Sequence, residues 1–272
     1  MSSNNRPDDN LLVVTETLPP VDGHPAAIST SPSPLLQQLE LACQTGSLPE
    51  VERILPQITP LPDLENISPT AGVALSGCLR AAVTHQHRDI VRTLLKSGFL
   101  PNRLSGSSIN AALHGDDTIT LLVFLESGWD VNERGQDMIM RPLLQHAINR
   151  PSIRSFLLAN GADPNLENER GTTALETAVQ SSSSTETVKE LLDSGGDPLR
   201  DDSLIIAAAL GKLDVAELLL ERGANVNASM KELAHPWGQR TRITALDAAA
   251  GRNQFHMVEW LKSRGATARN NV

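Results

Sequence analysis

The chain repeats one short pattern six times: an apolar run ends in polar residues, then a glycine, then in most copies a turn containing Asp, Asn or Pro. Examples are LLKSGFLPN from Leu94, LLANGADPN from Leu157 and LLLERGANVN from Leu218. The turn glycines are Gly98, Gly128, Gly161, Gly195, Gly223 and Gly265. Their spacing scatters around the roughly 33 residues of a two-helix repeat, which predicts a repeat protein. Stacked repeats present an extended surface, which favours a binding module.

Each repeat contains two segments with helical character. The first is short and rich in small residues, as in ALETAVQ from Ala174, and suits an inner helix that packs closely between repeats. Its alanines in the successive repeats are Ala42, Ala81, Ala111, Ala147, Ala178, Ala208 and Ala249. In the second segment, LDVAELLLERG from Leu213 has apolar residues at i, i+3 and i+4, which is typical of a half-buried outer helix. The glycine that follows suits a left-handed C-terminal cap.

These repeats resemble the ankyrin-repeat family over residues 35–272, in about seven copies. The family opens its inner helix with Thr-Pro-Leu-His-x-Ala-Ala, which Thr173, Leu175 and Ala178 match. Residues 161–165 and 223–227 match its Gly-Ala-Asp-x-Asn turn. The resemblance implies an all-α fold, a solenoid of stacked helix-turn-helix units with β-hairpin-like fingers.

Three features depart from the family pattern. The family's histidine is replaced by Glu40, Leu144, Glu176 and Asp247, so its usual inter-repeat hydrogen bonds cannot be assumed. In the second repeat His85 stands at the usual glycine position, after a proline-rich stretch at residues 56–69. The last repeat is expected to close the stack with a polar outer face, formed by Lys262, Arg264, Arg269, Asn270 and Asn271.

Residues 1–34 are expected to form a disordered, acidic arm rich in Pro and Ser. Their few apolar residues cannot offset the entropy of ordering them. Ser31 and Ser33 each precede a proline, the pattern that proline-directed kinases recognise, although such dipeptides also occur by chance. Residues 35–272 are expected to form a single repeat domain.

Composition narrows the classes of function. A net charge of −9 disfavours generic DNA or RNA binding, and a chain with no tyrosine, four phenylalanines and three tryptophans has few rings for stacking on bases. Cys43 and Cys78 lack CxxC spacing and are expected in the core of a protein from a reducing compartment. A disulfide between them would require Cα atoms within about 7 Å. No signal peptide or membrane helix is expected, so a cytoplasmic or nuclear location is predicted.

The sequence contains no recognised catalytic, cofactor or metal motif. P-loop, GxSxG and GxGxxG patterns do not occur in it. His85 and His87 lack the further ligands that a metal site needs and are interpreted as a solvated loop pair. The acidic pairs at residues 116–117 and 201–202 are interpreted as helix caps.

The longest departure from the repeat pattern follows Asn227, where residues 228–242 lengthen one finger. This finger contains the candidate partner-binding residues His235, Trp237, Arg240 and Arg242. Trp and Arg are enriched in interface hot spots. The alternative is that Trp237 folds back onto the neighbouring finger.

A second candidate patch combines Met138, Ile139 and Met140 with Trp129, which stands where the family has alanine. Methionine suits a surface that adapts to a partner. Packing between fingers is the alternative, and it is favoured for Trp129.

The preferred function is that of a monomeric, non-catalytic adaptor, scaffold or inhibitor. It is expected to bind another protein on the concave face formed by fingers and inner helices, with no cofactor, nucleic acid or membrane. Residues 231–272 include seven basic and three acidic residues, a net charge of +4, which favours an acidic partner at this end or simply reflects a basic cap. An enzyme with an unrecognised site built from loops, or a module regulated by phosphorylation of the arm, are the alternatives.

The cap assignment predicts a cost for replacing a turn glycine. Gly161→Val should lower the free energy of unfolding by about 1–2 kcal/mol, because a β-branched residue is strained in the left-handed region. Thermal or urea denaturation measures this change. An unchanged melting curve would refute the assignment.

Overall fold

Paired helices make up most of the structure. This computed structural model describes residues 13–17, 28–58, 69–99, 107–133, 141–181, 184–230 and 243–267. The inner helices are α1 (Pro34–Thr45), α3 (Pro69–Thr84), α5 (Ser107–His114), α7 (Leu143–His146), α9 (Ala174–Gln180), α11 (Ser203–Leu210) and α13 (Ala245–Gly251). The outer helices are α2 (Leu48–Ile58), α4 (Arg88–Lys96), α6 (Thr118–Glu126), α8 (Pro151–Ala159), α10 (Thr185–Asp193), α12 (Leu213–Glu221) and α14 (Phe255–Ser263). The predicted all-α fold class is confirmed.

The chain divides into two compact units, residues 1–139 and 140–272. In the first unit the inner helix α3 packs against both α1 and α5. In the second unit α9 packs against α7 and α11, and α11 packs against α13. Each inner helix also packs against its own outer helix, so the core of each unit lies between successive helix pairs.

Small residues occupy the contacts between inner helices, as the sequence predicts. Six of the seven alanines singled out above are buried, and Ala178, Ala208 and Ala249 have no exposed surface. The exception is Ala111, which is half-buried, whereas its neighbour Ala112 is completely buried. The predicted register of α5 was therefore wrong by one residue.

The six turn glycines all adopt left-handed backbone conformations. Their φ angles range from 87° to 96°, so the predicted left-handed caps are confirmed. At Gly161, a Cβ atom would have no neighbour within 4 Å. The cost expected for Gly161→Val therefore comes from the backbone conformation rather than from a steric clash.

A second left-handed residue recurs in the turn from inner to outer helix, two positions before the outer helix begins. The residues in this conformation are Gly46, Gln86, Asp116, Gly211 and Asn253. In the second repeat the position belongs to Gln86, with φ of 58°, and not to His85. The sequence alignment at His85 was therefore wrong by one residue.

The N-terminal segment differs from the disordered arm expected for residues 1–34. Strands β1 (Val13–Thr17) and β2 (Ile28–Pro32) pair antiparallel, with Val13 opposite Pro32. Their backbone groups bond to each other, Val13 is buried, and β2 contacts α3. The burial of Val13 and the pairing of the two strands offset the entropic cost of ordering these residues, which the composition suggested would not be offset.

The two serines that precede prolines differ in exposure. Ser33 is buried and caps α1, since its hydroxyl accepts a hydrogen bond from the Leu36 amide at 3.3 Å. Ser31 is exposed. Of the two serines that precede prolines, only Ser31 is therefore exposed.

Cys43 and Cys78 are unoxidised and completely buried, which confirms their predicted place in the core. They lie on the neighbouring inner helices α1 and α3. The hydrogen bond between the two thiols, followed by burial, raises the pKa of Cys78 well above its usual range. Because the thiolate is the reactive form, burial and a raised pKa together make the Cys78 thiol unreactive.

Asparagines link successive fingers in the second unit. The Asn165 side chain donates to the Gly195 carbonyl at 2.9 Å and accepts from the Asp197 amide at 2.8 Å. Asn227 repeats this arrangement two repeats further along the chain, with the Gly265 carbonyl at 3.2 Å and the Thr267 amide at 2.9 Å. We call this pair of bonds the asparagine clamp.

The finger between these two has no asparagine clamp. Leu199 stands two residues after Asp197, which is the position that Asn165 has relative to Asp163. Its amide donates to the Asp197 side chain at 2.9 Å, as the Asn165 amide donates to Asp163. Its side chain is 66% exposed and cannot form hydrogen bonds. At the equivalent places in the next finger, an asparagine at position 199 would meet the Gly223 carbonyl and the Asn225 amide.

Restoring the missing clamp should stabilise the protein. We expect Leu199→Asn to raise the free energy of unfolding by about 1 kcal/mol, the net value of one or two exposed hydrogen bonds. Urea denaturation should show this gain over wild type and over Leu199→Ala, which removes the apolar side chain without adding a bond. Equal stability of the Asn and Ala variants would contradict the clamp.

Candidate functional site

All seven predicted partner-binding residues lie outside the described residues. They are His235, Trp237, Arg240, Arg242, Met138, Ile139 and Met140. The described residues at the base of the long finger pair with each other: Ser229 and Thr244 form an antiparallel bridge, and the Met230 amide donates to the Ile243 carbonyl at 2.9 Å. These described residues therefore form a hairpin-like base.

Trp129 belongs to the core. It is only 7% exposed and packs edge-to-face against Phe124, with ring centroids 6.4 Å apart. The packing interpretation is confirmed, so Trp129 does not extend an exposed patch with the methionines.

The histidine position of the repeat was misaligned in α7. The N-caps Pro142, Thr173 and Thr244 show that the equivalent third helical residues are Gln145, Glu176 and Asp247. Leu144, which the sequence alignment placed there, is instead a buried core residue. The sequence does not show this shift, because Pro142 aligns equally well with the family's proline. The observed start of α7 reveals it.

Gln145 makes the hydrogen bonds expected of that position. Its side-chain amide donates to the carbonyls of Leu166 at 3.1 Å and Thr172 at 2.7 Å, and its oxygen accepts from Asn168 at 3.1 Å. These partners lie on the finger that leads into the next repeat. A buried glutamine therefore fixes that finger against α7.

A buried acidic group performs the same task one repeat later. Glu176 accepts from the Thr173 amide at 3.1 Å and from the Asp202 amide at 3.3 Å. The Thr173 hydroxyl donates to Asp201 at 2.6 Å, and Asp201 accepts from the Ser203 amide at 3.0 Å. Asp201 was interpreted from the sequence as a helix cap, but it also links α9 to the start of α11.

The two carboxyl groups of this cluster are perturbed by their surroundings. Burial raises the pKa of Asp201, and the hydrogen bonds from Thr173 and Ser203 offset this only in part. Burial also raises the pKa of Glu176, and the nearby charge of Asp201 adds to the effect. The hydrogen-bond partners of the two carboxyl groups lie at the start of α9 or at the start of α11, so the cluster holds these successive inner helices together. We call Glu176 and Asp201 the acidic brace.

In the other acidic pair the cap interpretation holds for Asp117, whereas Asp116 is the left-handed residue of the turn. The Asp117 carboxylate accepts from the Thr120 amide at 3.1 Å and caps α6, and it also lies 3.2 Å from Arg88. His85 and His87 stack with centroids 6.0 Å apart, and His87 Nε2 lies 3.2 Å from the Gln44 carbonyl. Over the described ranges, no three His, Cys, Asp or Glu side chains are grouped to hold a metal ion.

The inner helices present exposed aliphatic side chains in each unit. In the first unit Leu41 on α1 is 59% exposed and Val73 on α3 is 71% exposed. In the second unit Leu210, at the end of α11, is 47% exposed. These faces suit contact with apolar side chains of another protein.

No described helix combines the length and apolar character needed to cross a membrane.

Comparison with known families agrees with this architecture. Models of ankyrin repeats match residues 108–202 and 143–230, and a further ankyrin-repeat model matches residues 204–261. Together these matches span more than half of the chain. The chain therefore belongs to the ankyrin-repeat family.

Solved structures share the fold. The ankyrin repeat domain of Bcl-3, described as a unique member of the IkappaB protein family, is similar with a TM-score of 0.62 and 23% sequence identity. The similarity covers 82% of this chain and 97% of that one. At this level of identity it supports the fold only. No curated protein matches the chain in sequence.

The acidic brace should make stability depend on pH in a specific direction. A carboxyl group whose pKa is raised by folding stabilises the fold below its unfolded-state pKa, and this contribution is lost as the pH rises through the folded-state pKa. The stability of Asp201→Asn relative to wild type should therefore increase between about pH 4 and pH 7.

Urea denaturation across this range measures the difference, and Asp193→Asn is the matched control. Hydrogen bonds from Arg222 and Lys189 lower the pKa of Asp193, so the relative stability of that variant should decrease as the pH rises. If the difference in unfolding free energy between Asp201→Asn and wild type did not change with pH, the raised pKa of Asp201 would be contradicted.

Proposed function

We propose that this chain is a non-catalytic protein-interaction module, an adaptor, scaffold or inhibitor, that binds its partner through fingers and inner helices. Membership of the ankyrin-repeat family supports the general role, because the family's repeats serve as protein-interaction modules. The observation that carries the choice of face is the exposure of Leu41, Val73 and Leu210 on inner helices.

This observation matters because most inner-helix positions are used in packing. In α11, Leu204, Ile205, Ala207 and Ala208 are buried against neighbouring helices, whereas Leu210 is not. The exposed part of such a leucine gains nothing from folding but contributes apolar area to an interface. The same reasoning applies to Leu41 and Val73 in the first unit.

The long finger completes the proposed site. Trp237 and Arg240 supply the residue types that dominate interface hot spots, with His235 and Arg242 beside them. The methionine patch at residues 138–140 is proposed as a second, adaptable contact. The net charge of +4 at residues 231–272 favours an acidic surface on the partner at this end. The module is proposed to act as a monomer in the cytoplasm or nucleus.

Affinity purification from the native cell followed by mass spectrometry tests this function. The wild-type chain is compared with a Trp237→Ala, Arg240→Ala variant and with Leu210→Ser. Each change should reduce recovery of one protein at least about tenfold, the effect of losing a hot spot worth about 1.4 kcal/mol or more, without lowering the melting temperature.

Glu186→Ser, at an exposed position on the outer helix α10, is the control and should leave recovery unchanged. Equal recovery by all three variants would remove the long finger and α11 from the site. If wild type enriches no protein and the pure chain turns over a substrate, the enzyme alternative replaces this proposal.

A further inference from the structure

The outer helix α6 has exposed aliphatic residues at its second and fifth positions, unlike the other nine-residue outer helices. Its sequence, TITLLVFLE, contains six aliphatic or aromatic residues and one charge. Ile119 is 50% exposed and Leu122 is 42% exposed, one helical turn apart on the same side. Isolated exposed aliphatic residues are common on proteins, so the comparison with the other repeats decides their significance.

The repeats themselves provide that comparison. The outer helices from α4 onward are each nine residues long, so their second and fifth residues are equivalent to Ile119 and Leu122. The equivalent pairs are Asp89 and Arg92, Ser152 and Ser155, Glu186 and Lys189, Asp214 and Glu217, and His256 and Glu259. All are polar, which shows that stacking of these repeats does not require apolar residues at these positions.

Several of the equivalent residues form ion pairs that α6 cannot make. Lys189 pairs with Asp193 at 3.2 Å, Glu217 with Arg264 at 2.8 Å, and Glu259 with Lys262 at 2.8 Å. Leu122 occupies the same place in α6 without any such partner. Ion pairing along the outer helices therefore does not account for the exposed surface of Leu122.

Basic side chains lie beside this apolar face. A groove of about 290 Å³ runs between α4 and α6, and Arg92, Lys96, Val123 and Glu126 are among the residues that line it. Arg92 lies 3.5 Å from Asp89 on its own helix, and Lys96 has no ion-pair partner among the described residues. Of the charged residues that line the groove, Arg92 and Lys96 are basic and Glu126 is acidic, so the lining carries a net charge of +1 in a chain whose net charge is −9.

We propose that α6 and this groove bind a short amphipathic helix of a partner protein. The aliphatic side chains of that helix cover Ile119 and Leu122, and its carboxylates pair with Lys96 and Arg92. Two half-exposed side chains form only a small part of the roughly 800 Å² per partner that a standard interface buries, which favours a helical peptide over a second copy of the chain. This surface is separate from the inner helices and fingers of the proposed function.

Peptide selection tests the chemistry of this surface. Phage-displayed random peptides of about 15 residues, roughly four helical turns, are selected on the full chain and counter-selected on an Ile119→Ser, Leu122→Ser variant. These serines reproduce Ser152 and Ser155 of α8, so the variant is expected to fold, which circular dichroism melting checks. Glu186→Ser, at the equivalent position of α10, is the matched control.

The proposal expects peptides with aliphatic residues at i, i+3 or i+4 and with flanking Asp or Glu. The double serine variant should weaken their binding at least about tenfold, and Lys96→Ser should weaken it several-fold at low salt but less at high salt. Glu186→Ser should have no effect. Selection of Lys- or Arg-rich peptides, equal selection on wild type and variant, or no enrichment would each overturn the proposal. If wild type self-associates in sedimentation experiments and the double serine variant does not, a second copy of the chain, and not a peptide, is the occupant of this surface.

Discussion

Stacking between helix pairs is the constraint on which the rest of this protein depends. A pair such as α9 and α10 is too short to bury its own apolar residues, so neighbouring pairs must complete its core. Ala178 is completely buried where inner helices meet, and Val188 and Leu191 of α10 are completely buried beside it. Residues committed to these contacts are not available for a partner, which separates the structural surface of each repeat from its functional surface.

Polar contacts decide how each repeat is aligned on the next, because hydrophobic contacts are not directional. Asn165 and Asn227 bond to the following finger in the same way, and Gln145 and Glu176 each bond from the start of an inner helix to the segment that follows. Each bond contributes little net stability. Together they define the register of each repeat on the next.

Departures from the repeat mark residues that stacking does not account for. Leu199 gives up a clamp that its neighbours make, and Ile119 and Leu122 replace polar residues found in every equivalent helix from α4 onward. In a protein built from repeats, each unit serves as a reference for the others. An exposed apolar residue is informative here because the polar alternative is visible a few repeats away.

The sequence by itself determined the family, the helix pairs and the left-handed glycines, because these follow from local periodicity and from backbone sterics at residues such as Gly161. It also placed Trp129 and the cysteines in the core, since their types and positions suit burial. It misassigned Ala111, His85 and Leu144 by one residue each, because several registers fit a short helix equally well. Only the tertiary structure decided that Asn165 clamps a finger, that Asp201 and Glu176 form a buried brace, and that β1 pairs with β2. Those contacts join residues far apart in the chain, and no local pattern specifies which distant group a polar side chain will meet.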